Sequence, residues 1–193
     1  ALIEDCRKFD LPVVLVNREG ATDWGDRVVA DNDESGALAV DILVRSDARR
    51  LGCLMPSRET YSVSGRADAF VAAASDRNVP CERILAADQT YDDARTAIAN
   101  LDSGVLSRID GLFCATDLMA IGALDALRID MKMQVPRDIQ VLGFDNIDQS
   151  SWASYDLSTI SQDVEAQAKA VISMLNDRIL DSTLPNRVYK QPL

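Results

Sequence analysis

The chain has 193 residues, 47% of them hydrophobic, 26% charged and only 5% aromatic, enough for one soluble domain, or one and a half, around a real core. Its 31 acidic and 20 basic residues leave a net charge of -11, which repels a phosphate backbone and argues against these residues gripping nucleic acid. Histidine is absent, which excludes Ser-His-Asp and Cys-His catalysis and any histidine-ligated metal.

Ala1, Leu2, Ile3, Cys6 and Phe9 have helical spacing, Pro12 follows, and Val13–Val16 reads as a buried strand. One strand behind a helix cannot make a sheet alone, and no initiator methionine opens the chain, so the expectation is a fragment lacking an N-terminal portion. Neither a basic-then-apolar signal sequence nor an apolar run of membrane-spanning length is present. Asp31 and Glu34 stand near the start of a helix that runs through Leu38, Ile42 and Leu43.

From Leu51 the pattern is regular. Short apolar runs at Leu51–Met55, Arg83–Ala86, Gly111–Cys114 and Ile139–Leu142 read as strands. Between them lie helical stretches carrying Val63, Ala67, Phe70, Val71 and Ala74, then Ala94, Ala97, Ile98 and Leu101, then Leu118, Ile121, Ala123, Leu124 and Leu127. Strands and helices alternating at this spacing mean βαβ units and a parallel sheet. Pro80 and Pro136 mark re-entry to strands, and Thr90 and Asp117 are candidate N-caps. Gly143–Asp156 is polar and aromatic, and Leu157–Ile160 reads as another short strand. Val164, Ala168, Val171, Ile172, Leu175 and Ile179 fall on one face of a long helix, Pro185 ends it, and Arg187–Tyr189 reads as a last strand.

In an open parallel sheet, ligands bind outside the carboxyl ends of the strands. Those ends are followed here by Pro56–Ser64, Ala87–Tyr91, Ala115–Asp117 and Gly143–Trp152. With the helix just beyond the first, they bring Arg66, Asp88, Thr116, Asp117, Asp145, Asn146 and Trp152 to one edge. Carboxylates, a guanidinium and a few rings suit a small polyhydroxylated ligand, with charge-assisted bonds to hydroxyls and a ring over the apolar face. Each residue also has a plainer role open to it. Asp117 fits a helix cap as well as a ligand group, Asp88 the end of a loop, Arg66 a solvated helix arginine, and Trp152 a core ring like Trp24.

No GxGxxG or GxxxxGK[ST] loop is present to cradle phosphate. The acid pairs Asp92/Asp93 and Asp145/Asp148 read as solvated loop charges rather than an acid-base couple. Cys6, Cys53, Cys81 and Cys114 form no CxxC pair and read as free, buried thiols of a reducing compartment, with a disulfide as the alternative. Cys114 sits at a strand end without a histidine to activate it. No catalytic residue, metal site or cofactor is assigned.

The strings CATDLMAIGALDAL (114–127) and VPRDIQVLGFDNI (135–147), in this order, resemble the effector domain of the LacI/GalR-type bacterial transcription regulators. LPVVLVNR (11–18), VADNDESGALAVDIL (29–43), RRLGCLM (49–55), SGRADAF (64–70) and LSTISQD (157–163) continue the likeness collinearly over nearly the whole chain. The resemblance implies an α/β, periplasmic-binding-protein-like fold with two doubly wound parallel-sheet subdomains, the first one incomplete here. The implied division is residues 1–30 in a partial N-terminal subdomain, 31–156 in the C-terminal subdomain, 157–186 back in the first, and 187–193 as a final strand of the second.

It also implies a small-molecule effector, a sugar or polyol, in the cleft between subdomains, and a cytoplasmic homodimer whose operator DNA is held by a helix-turn-helix outside this chain. No membrane partner is implied. Position by position, Arg66 matches the effector-binding arginine of the RxxGF motif and Asp145 the GFD aspartate that holds hydroxyls or amines. Asn17, Thr116 and Gln162 fall at positions that line the cleft. Gln89 stands where an aromatic often stacks on the ligand, and Trp152 completes the candidate set. Ala69 replaces the glycine of RxxGF, Thr116 a common asparagine, and Ala48 a common histidine. The alternative is a periplasmic solute-binding protein for sugar transport, and an enzyme on the same sheet is the least supported class.

Overall fold

Leu51–Pro56 (β3) and Gly111–Cys114 (β5) are buried at every position, the mark of strands covered on both faces in the middle of a parallel sheet. A computed structural model of the chain describes residues 2–18, 24–58 and 61–193. Ala1, assigned above to the first helix, and Glu59 and Thr60 of the loop after Pro56 lie outside the described residues. The chain divides into two compact units. The residues up to Asp31 and from Asp163 onward make the first, and Asn32–Gln162 the second.

The second unit carries a five-stranded sheet in the order β4-β3-β5-β6-β7, with β4 at Cys81–Ala86, β6 at Gln140–Asp145 and β7 at Ser158–Ser161. Every pairing is parallel. The edge strand β4 alternates as a half-buried strand must, with Ile84 and Ala86 inside and Leu85 exposed. From β3 the chain passes through α3 (Tyr61–Asp76) to β4 on one side. It then returns through α4 (Tyr91–Ala99) and α5 (Ser103–Leu106) to β5, and through α6 (Asp117–Asp125) to β6 on the other. Right-handed crossovers running in opposite directions set α3 and α4/α6 on opposite faces, and the direction reverses between β3 and β5.

Helix α2 (Asn32–Arg45) packs on α3 so closely that a Cβ at Gly36 would lie 2.4 Å from the carbonyl carbon of Ala69. Backbone cannot yield as a side chain can. Gly36→Ala is therefore expected to lower stability by about 1–3 kcal/mol, read as a shifted denaturation midpoint, and an unchanged midpoint would contradict this close approach. Phe70 of α3 stacks on Phe113 of β5 at 4.7 Å in the core beneath.

The first unit carries a three-stranded parallel sheet, β1 (Val14–Val16), β2 (Asp26–Ala30) and β8 (Val188–Gln191), with α1 (Leu2–Lys8) and α7 (Val164–Leu180). Among the described residues no helix is long and apolar enough to cross a membrane.

Residues 157–162 stay in the second unit because β7 pairs with β6, Leu142 opposite Ser158 through Asp145 opposite Ser161. Residues 187–193 belong to the first unit because β8 pairs with β2. The central strand β2 was not expected at all: it opens on Asp26 and Arg27, and only three apolar residues follow. The apolar stripe of α7 is only partly covered, with Val171 and Leu175 half-buried. Gln167 and Met174 are buried, whereas Val164, Ile172 and Ile179 are 60–68% exposed. Cys53 and Cys114 are buried free thiols as expected, but Cys6 and Cys81 are only half-buried.

Candidate functional site

In open parallel sheets ligands bind beyond the carboxyl ends of the strands where the strand order reverses, here between β3 and β5, and α3 and α6 follow those two strands. Arg66, in the second turn of α3, is 3% exposed. Its Nη1 donates to the carbonyl oxygen of Ala115 at 2.6 Å, and its guanidinium carbon lies 3.4 Å from the centroid of the Phe144 ring. A planar cation fits between a carbonyl and a ring face as an ammonium does not. Nε is buried without a hydrogen-bond partner. Burial pulls the Arg66 pKa down to about 10, against the opposing charges of Asp145 and Asp117, so the group stays a cation at neutral pH.

Asp145 ends β6, and its Oδ1 lies 3.5 Å from Arg66 Nη1 and accepts from Gln162 Nε2 at 2.8 Å. Oδ2 accepts no hydrogen bond among the described residues. Burial raises the Asp145 pKa above the ordinary carboxylate value, while Arg66 and Gln162 pull it back. The backbone there is left-handed, with φ of 120° at Asp145 and 56° at Asn146, a conformation that L-residues hold only under constraint.

The structure therefore brings Arg66, Asp145 and Gln162 into one cluster within the second unit, joined by neither Trp152 nor Gln89. Trp152, 54% exposed after the short turn Asp148–Ser151, is not a core ring. Gln89 follows the edge strand β4, and its amide donates to its neighbour Asp88. Thr116 is buried at the junction of β5 and α6 and is the N-cap of that helix, its hydroxyl accepting from Met119 N at 3.3 Å. Asp117, expected as that cap, is instead the first helical residue. Asn17 belongs to the first unit, directly after β1, with φ of 52° and a buried side-chain oxygen that has no hydrogen-bond partner among the described residues.

Sequence reasoning missed Phe144 and the Ala115 carbonyl, which hold Arg66 in place. The only available signal was an aromatic directly before a candidate carboxylate. Burial pushes the Cys114 thiol up, so it is held protonated rather than poised to attack. A separate groove of about 580 Å³, lined by Ile42, Leu124, Arg128, Pro136, Gln140 and Tyr155 among others, contains none of the candidate residues.

Residues 40–192 match the periplasmic binding protein-like domain. The chain belongs to that family. Among curated relatives, the HTH-type transcriptional repressor PurR of Aliivibrio fischeri is 30% identical over 193 residues, covering 95% of this chain and 55% of that protein. PurR of Vibrio vulnificus is 28% identical over 183 residues, covering 94% and 54%. The chain thus spans about half the length of the curated relatives it matches.

The family fold is equally plain in solved structures. A LacI-type transcription regulator from Bifidobacterium animalis subsp. lactis superposes with a TM-score of 0.81 at 26% identity, covering 94% of this chain and 69% of that one. A CelR transcriptional regulator–cellobiose complex shares the fold at a TM-score of 0.86 and 22% identity, covering 99% and 59%. So does a LacI family regulator from Enterococcus faecium with bound ribose, at 0.83 and 20%, covering 99% and 70%.

Proposed function

We propose that the chain is the effector-sensing part of a LacI-type transcriptional regulator, binding a sugar or related polyol at the carboxyl edge of the second unit's sheet. The Arg66–Asp145–Gln162 cluster at the strand reversal carries this reading: a guanidinium and a carboxylate, both partly withdrawn from water, form directional bonds to neighbouring hydroxyls. Arg66 donates to a ligand oxygen, and Asp145 accepts from a hydroxyl or an amine. Thr116, Gln89 and Trp152 are further candidate contacts.

The likeness to PurR repressors and to regulators carrying cellobiose or ribose supports the same reading. The regulator acts as a cytoplasmic homodimer, and a helix-turn-helix outside these 193 residues holds operator DNA. The effector changes operator affinity through a coupling free energy of roughly 1–3 kcal/mol. No bond in the ligand is broken.

Calorimetric titration with ribose, lactose, cellobiose and the nucleobases tests the reading. One-site saturable binding of a hydroxylated compound is expected. Heats of dilution alone for every compound would remove it.

A further inference from the structure

Asp117 is fully buried, yet it caps no helix, and although its charge is felt by Arg66 and Asp145 its hydrogen bonds go elsewhere. Its Oδ2 accepts the Ile147 amide at 2.9 Å, and its Oδ1 accepts the Thr159 hydroxyl at 2.5 Å. The same hydroxyl oxygen accepts the Asn146 amide at 3.3 Å. One carboxylate from α6 and one hydroxyl from β7 thus hold two successive amides of the turn after β6. Gly143 makes this approach possible, since a Cβ there would lie 2.1 Å from Asp117 Oδ1.

The turn so held is the one in which Asp145 and Asn146 adopt left-handed backbone. Such a conformation costs about 1–3 kcal/mol per residue and persists only where the surroundings over-determine it. Thr159 also lies on the strand that leads to Gln162, the donor to Asp145. We propose that Asp117 and Thr159 are positioning residues for the candidate site, holding the β6 turn so that the Asp145 carboxylate is presented to Gln162 and Arg66. The consequence for ligand binding rests on the function proposed above; the consequence for the turn does not.

Thr159→Val removes the hydroxyl at nearly constant shape and leaves Asp117 one partner, whereas Thr159→Ser keeps it. Amide hydrogen exchange is read at Asn146 and Ile147 against Leu142 and Phe144 of the same strand. Thr159→Val is expected to speed exchange at 146 and 147 at least ~10-fold beyond any change at 142 and 144, as loss of a hydrogen bond to a charged group allows. Thr159→Ser is expected to restore it.

Equal acceleration at all four amides, none at any, or no rescue by serine would overturn the proposal. With the tightest-binding sugar of the panel, Thr159→Val weakens affinity and Thr159→Ser spares it. If the wild-type protein binds no member of the panel, the effector reading falls while the exchange result still decides the positioning role.

Discussion

Replacing Asp26 with alanine is expected to destabilise the first unit by about 3–5 kcal/mol, the range for removing one partner from a buried ion pair. Asp26 is fully buried at the start of β2. Arg178 Nη2 reaches its Oδ1 at 2.6 Å and Arg187 Nη2 its Oδ2 at 2.9 Å, and the Arg187 amide also donates to Oδ1 at 2.9 Å. Both arginines bind backbone as well, Arg178 at the Leu184 and Pro185 carbonyls and Arg187 at that of Met174. One carboxylate therefore fastens the central strand, the end of α7 and the approach to β8, and its loss takes a buried ion-pair partner from both arginines, leaving Arg187 its pair with Asp177 and Arg178 its backbone carbonyls.

Burial pushes the Asp26 pKa up, but the hydrogen bonds from Arg187 and Arg178 outweigh it and hold the carboxyl below the ordinary range. A depressed folded pKa gives stability that is present above the ordinary carboxylate value and lost as pH falls through the folded value. The first unit should therefore loosen in acid below about pH 4. Trp24 lies in the first unit and Trp152 in the second, so Trp24 fluorescence in a Trp152→Phe background follows the first unit. An Asp26→Ala midpoint equal to that of the parent would contradict the account.

The second large effect concerns the candidate site. Arg66→Ala and Asp145→Ala are each expected to weaken binding of a hydroxylated ligand roughly 10- to 150-fold, as hydrogen bonds to charged groups are worth about 1.5–3 kcal/mol. Asp145 also sets a pH dependence. Its pKa is raised by burial, so the accepting carboxylate is protonated on acidification at a higher pH than an ordinary aspartate. For the free protein the sign is opposite to that of Asp26: a raised folded pKa means that this group's contribution to stability falls as pH rises through that window. Affinity measured from pH 7 down to 4 should drop with a midpoint above 3.8, the ordinary value, and Asp145→Asn should abolish the drop. A flat profile in the parent would contradict the role given to Asp145.

The five-stranded sheet of the second unit was legible because Leu51–Pro56 and Gly111–Cys114 are apolar throughout, a pattern with few other uses. β2 was not, because Asp26 and Arg27 look like loop residues until Arg178 and Arg187 come to meet Asp26 from more than 150 positions away. Helix α7 shows the same limit. Periodicity identifies a stripe that includes Val164, Ile172 and Ile179, but not its burial, and the buried residues of the helix are Gln167 and Met174.

The strand-end rule and the family likeness singled out Arg66, Asp145 and Gln162, and these three do meet. Neither route points to Asp117 and Thr159 as holding the turn, since the bonds involved join positions 13, 30 and 42 residues apart. Gly143, a glycine inside a strand, was the readable sign that another group approaches there.

Binding of the effector at the Arg66–Asp145–Gln162 edge is read by NMR titration of the labelled protein with the tightest ligand of the panel. Shift changes are predicted at the Arg66 guanidinium, Thr116, Asp145–Ile147 and the Gln162 side chain, saturating with the calorimetric affinity. Changes confined to the groove around Ile42, Arg128 and Tyr155, with those signals unmoved, would contradict it.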